Sequence, residues 1–228
     1  MRKDKYLAIK LRKGGKSYNQ ISKILKVPKS TLSSWLKNIK LSSEARNKIL
    51  NRAHKKSTEA LIKRNKYQTV LAAERATKIR NQSRKETFEL MKNPLFVSGI
   101  SLYWAEGYKK GAYGSKWKSV DFANSDPEMI KVMMNFFRSF CGINNANIKI
   151  QLMAHPNVDI GKALKFWSSL TKIPQSQFIK TCTAISKYSK KRRNNTLTNG
   201  TIHIRINNVK FFFKMIGWID GLKDFLGL

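Results

Sequence analysis

Residues 95–107 read LFVSGISLYWAEG, and they decide how the second half of the chain is read. Residues 95–106 form one apolar run with a single charge, Glu106, at its end and directly before Gly107. The pattern predicts a buried helix over 95–106. Ser98, Gly99, Ser101 and Ala105 are small, and small residues let two helix backbones approach closely. Downstream, 108–124 predicts a β-hairpin, and Ser125-Asp126-Pro127 opens a helix reaching about Cys141. A strand at 147–153, a helix at 158–171, strands near 177–186 and 201–207, and an amphipathic helix at 209–225 complete an α+β domain over 94–228.

The run Gly99-Ile100-Ser101-Leu102-Tyr103-Trp104-Ala105-Glu106-Gly107 resembles the nine-residue motif of the LAGLIDADG homing endonucleases. Ala105, Glu106 and Gly107 match it, while Ser101 replaces its middle glycine and Trp104 its earlier acid. The order of elements resembles that family's αββαββα unit with an inserted helix at 158–171. What the resemblance implies is metal-assisted phosphodiester hydrolysis by a homodimer. Two copies of the 98–105 helix would meet across a two-fold axis, and the paired Glu106 carboxylates would hold Mg²⁺. Glu106 is then the catalytic and metal-ligating candidate. Asp121, facing away from Val120 and Phe122, is the second catalytic candidate. Lys109, Lys110, Lys116, Lys118, Lys187, Lys190, Lys191, Arg192, Arg193 and Arg205 would track phosphates.

Met215-Ile216-Gly217-Trp218-Ile219-Asp220 imitates the start of a second motif. Only eight residues follow Asp220, too few for the strands a motif helix requires. Phe211, Phe212, Phe213, Ile216 and Ile219 instead read as the packed side of a last helix.

Residues 17–38 read SYNQISKILKVPKSTLSSWLKN. Ser17 is placed to cap a helix whose Tyr18, Ile21, Ile24 and Leu25 share a face. Val27-Pro28 breaks that helix, since proline disfavours helix in the residue before it. Ser30 is expected to cap a second helix buried through Leu32, Trp35 and Leu36. Its outward residues are Ser30, Thr31, Ser33, Ser34 and Lys37, flanked by Lys29 and Lys40. Short donors suit a helix that enters a major groove about 12 Å wide. The segment resembles the helix-turn-helix of resolvases, transposases and repressors, and a helix at 6–11 would complete a three-helix domain over 1–40. An ordinary helical hairpin is the alternative.

Between these domains, 41–93 contains neither Pro nor Gly and carries fifteen Lys/Arg (with Lys40) against five Glu. The composition predicts a basic helical linker, an arm following the phosphate backbone, or a segment that orders only on DNA. Over all 228 residues, 46 Lys+Arg against 13 Asp+Glu give a net charge of +33. Such a chain calls for a polyanion, and each phosphate neutralised releases counterions. A ribosome-like basic surface and an anionic-membrane binder are the competing readings. No apolar run is long enough to span a bilayer, and no signal peptide precedes the charged start, so a cytoplasmic or nucleoid location is expected. Cys141 and Cys182 lack metal spacing. Two function classes stay open: a sequence-specific, Mg²⁺-dependent double-stranded DNA endonuclease, and a non-catalytic regulator on the same fold.

Overall fold

Three short helices, α1 (Lys3–Lys13), α2 (Tyr18–Leu25) and α3 (Lys29–Leu36), open the chain in a computed structural model that describes residues 3–183 and 197–228. Ser17 caps α2 as expected. Its hydroxyl accepts from the Gln20 N–H while the Gln20 side chain accepts from the Ser17 N–H. The cap of α3 differs from expectation: Pro28 precedes the helix, no side chain caps it, and Ser30 lies inside the first turn. Proline has no N–H to leave unsatisfied, so it starts a helix at little cost. Ala8, Ile21, Leu32 and Leu36 form the core of this unit, with Leu25 and Trp35 partly buried. Ile24, expected on the buried face, is 53% exposed, because a three-helix core covers only a narrow stripe of α2.

The chain divides into two units, Met1–Ala72 and Ala73–Leu228, and one helix contributes to both. That helix, α4 (Ser43–Leu90), is continuous over 48 residues. In the first unit its start packs on the loop between α1 and α2, with Ala45 buried against Gly15. Gly15 sits at φ +82°, and a Cβ there would lie 3.2 Å from the Ala45 carbonyl oxygen and the Lys48 Cβ, so glycine suits both the turn and the approach. The segment expected as a linker therefore does not stand apart: residues 73–90 belong with the C-terminal unit.

In that unit, α5 (Pro94–Glu106) is capped by the Asn93 side chain and followed by β1 (Val120–Asn124), α6 (Pro127–Cys141) and β2 (Ile148–Ala154). Then come α7 (Ile160–Thr171), β3 (Phe178–Thr183), β4 (Thr201–Ile206) and α8 (Val209–Phe225). The unit is α+β as predicted, with strand order β1-β4-β2-β3. β4 is antiparallel to both neighbours, and β3 is parallel to β2 across α7. Val120, Phe122, Ile148, Ile150, Leu152, Ile202, Ile204 and Ile206 are buried in the core shared with α5, α6 and α8.

The expected hairpin at 108–124 does not form. Only β1 is a strand; upstream of it the ladder shrinks to one bridge, Gly107 to Phe122, and Lys110–Tyr113 is a 3₁₀ turn. Tertiary contacts take the place of a first strand. Tyr103 donates to the Tyr108 carbonyl at 3.0 Å, and Gly111 lies so close under Trp117 that a Cβ would meet its carbonyl oxygen at 2.5 Å. The described order is thus helix, strand, helix, strand, helix, two strands, helix, rather than αββαββα with an insertion.

Gly99 also finds its partner within the chain. A Cβ there would lie 2.3 Å from the Phe136 ring, so its smallness serves the α5–α6 contact rather than a second copy. The imitation motif resolves in the same way. Gly217 and Gly221 bring α8 onto the backbone of α4 at Arg80 and Arg84, and Arg80 holds Asp220 through two hydrogen bonds.

Candidate nucleic-acid interface

On α3 the buried positions Leu32 and Leu36 leave an opposite face to solvent. Lys29, Ser30, Ser33, Ser34 and Lys37 are exposed and Thr31 is half-buried. Their spacing of one, four, five and eight residues from Lys29 places the exposed five along one side of the helix. The result is two ammonium groups and three hydroxyls on a surface with no carboxylate among α3 residues.

A second polar surface lies on the sheet of the C-terminal unit. Strand alternation puts Asp121, Lys149, Gln151, His203 and Arg205 on the side opposite the core, and pairing aligns Asp121 with Arg205 and Arg205 with Lys149. Arg205 Nε donates to Asp121 at 2.6 Å, and the His203 Nδ1–H donates to its other oxygen at 2.7 Å. Burial pushes the Asp121 carboxyl up, but these two hydrogen bonds and the neighbouring cations outweigh it and hold the group below the usual aspartate range. Arg205 also lies over the Trp117 ring, 5.8 Å from its centroid. Asp121 is therefore engaged in positioning Arg205 and His203, one on each of its carboxylate oxygens.

Glu106 stands at the exposed end of α5, and no hydrogen bond or ion pair reaches it among the described residues. Ser98, Ser101 and Ala105 are exposed along the same helix, at spacings of three and four residues. Lys109, expected on phosphate, turns back instead and donates to the carbonyls of Trp104 and Gly107 at 2.7 Å each. It thereby caps the end of α5, where cations meet the free carbonyls. Burial holds its ammonium below the ordinary lysine range against the pull of Glu106. Lys110 and Lys116 are exposed, and Lys118 donates to the Ser115 carbonyl at 3.2 Å. Lys187, Lys190, Lys191, Arg192 and Arg193 lie outside the described residues.

No family model, curated protein or solved structure matches this chain. Its chemistry is therefore read from its own residues. Among the described residues no three His, Cys, Asp or Glu side chains cluster, and no helix is long and apolar enough to cross a membrane. Sequence reasoning passed over His203 and Lys149. His203 carries a readable signal, two residues from Arg205 on one alternating strand, whereas Lys149 is brought opposite Arg205 only by the β2–β4 pairing.

Proposed function

We propose that this protein binds double-stranded DNA in a sequence-dependent manner through α3. One observation carries the reading: α3 buries Leu32 and Leu36 and turns Lys29, Ser30, Ser33, Ser34 and Lys37 outward, in a chain of net charge +33. Phosphates recruit the lysines, and the hydroxyls offer donors to base edges. The test is fluorescence anisotropy on a selected site and on random duplex. Replacing Ser34 and Lys37 with Ala should narrow the gap between the two, at about 1–3 kcal/mol per lost base contact. An unchanged gap overturns the assignment of α3.

Metal-dependent cleavage by a homodimer is the second reading, favoured by Glu106, an unpaired carboxylate at the end of the exposed small-residue stripe of α5. Mg²⁺ prefers oxygen ligands and is commonly bound by one or two carboxylates plus substrate phosphate. The donor type of Glu106 fits, whereas each Asp121 oxygen already accepts a hydrogen bond from a basic side chain. Glu106 would hold the metal, which when bound supplies an activated water for phosphodiester hydrolysis. Glu106→Gln should then abolish Mg²⁺-dependent cleavage of the cognate site while binding survives. A wild type that binds its site tightly and leaves it intact with Mg²⁺ and Mn²⁺ leaves the non-catalytic regulator.

A further inference from the structure

We infer that α4 carries a second DNA contact: a one-sided lysine stripe, Lys55, Lys56, Lys63 and Lys66, that engages the phosphate backbone. The inference rests on the DNA-binding reading above and names a surface that reading does not use. Residues 51–70 are exposed without exception, twenty consecutive positions of one helix. They hold six cations (Arg52, Lys55, Lys56, Lys63, Arg64 and Lys66) against one acid, Glu59.

Helical spacing sorts these charges. Counted from Arg52, the four lysines fall three, four, eleven and fourteen residues on, within a sector about 100° wide at 3.6 residues per turn. Arg64 lies outside that sector, as does Arg46. Contacts within the N-terminal unit fix where the sector points. Arg52 donates to the Gly15 carbonyl at 2.6 Å and to the Gln20 side chain, and Ala45, two turns earlier in the same sector, is buried against Gly15. The stripe thus prolongs the side of α4 on which the loop between α1 and α2 is seated. From Lys55 to Lys66 it extends about 16 Å, roughly five base pairs of duplex.

The occupant follows from charge and from what the helix lacks. A helical protein partner needs large apolar side chains aligned in one seam. Leu50, Leu61, Ile62, Tyr67 and Val70 are exposed but scattered around the helix. Four lysines in one sector, with Glu59 the one acid among them, match a row of phosphates instead.

The test uses the full-length protein and a random-sequence 30-base-pair duplex, with affinity measured between 50 and 200 mM NaCl. Each phosphate contact contributes about −0.9 to the slope of log K against log salt. Lys63→Gln with Lys66→Gln should flatten the slope by roughly 1.8, and all four Lys→Gln by roughly 3.6. Arg46→Gln with Arg64→Gln removes the same charge from another side and should flatten it far less. All these positions are exposed and Gln sustains helix, so circular dichroism should be unchanged. Glu59→Gln should tighten binding. Equal slopes for the two double variants overturn the stripe while DNA binding stands. A wild type that does not bind the duplex removes both. Slopes that respond on duplex RNA but not on DNA overturn the choice of DNA.

Discussion

Arg80 of α4 donates to both carboxylate oxygens of Asp220 on α8, and one turn later in both helices Arg84 repeats the arrangement with Asp224. The residue numbers rise together, so within the C-terminal unit the two helices run parallel in a register set by a two-rung ladder. Asp220→Ala should lower the urea midpoint by an amount equivalent to about 1–2 kcal/mol, since its partner is left partly buried. Asp224→Ala should barely move it, because solvent screens the outer rung. A larger effect at Asp224 than at Asp220 contradicts this ranking.

Beside those rungs, at Gly217 and Gly221, the helices touch closely, each glycine lying against an α4 carbonyl. Alanine usually stabilises a helix over glycine by about 1 kcal/mol. At Gly217 the sign should reverse, because a Cβ would lie 2.3 Å from the Arg80 carbonyl oxygen. Forcing the pair apart typically costs about 1–3 kcal/mol. Thermal unfolding of Gly217→Ala should show a lower midpoint than wild type, and a raised one would mean that α8 is not seated on α4.

Acid should weaken the C-terminal unit through Asp121. Its carboxyl titrates below the ordinary range when folded, so its stabilisation is present above the unfolded value near about 3.9 and is lost as pH falls through the lower folded value. Urea midpoints measured from pH 6 down to pH 3 should fall for wild type. Asp121→Asn should start lower and lose less over that range. Parallel curves would show that the His203 and Arg205 contacts are not maintained in solution.

The proposed dimer can be separated from the fold itself. Ser101 is exposed on α5, so a larger side chain disturbs no packing within one copy. Ser101→Leu should leave the unfolding midpoint near wild type while shifting light scattering from dimer to monomer. A wild type that scatters as a monomer with and without DNA removes the shared Glu106 site.

How much was legible beforehand varies with the range of the forces involved. Ser17 and Gln20, three residues apart, specify a helix start through local hydrogen bonds, and Asn93 and Asp126 do the same. Alternation along Thr201–Ile206 identifies which side of β4 is buried, because successive side chains point to opposite faces. Charge balance and the unbroken helix-forming run that became α4 are likewise properties of the residues alone. Partners distant in sequence were not legible. Nothing near Asp220 announces Arg80, 140 positions away, and nothing near Gly99 announces the Phe136 ring. The hairpin expected at 108–124 does not form, because Tyr103 donates to the Tyr108 carbonyl and the Tyr108 hydroxyl to that of Trp117. Local propensity settles the helix starts and the long helix, but not the first arm of the expected hairpin. Which carboxylate remains free, Glu106 or Asp121, depends on the cations that folding carries to each.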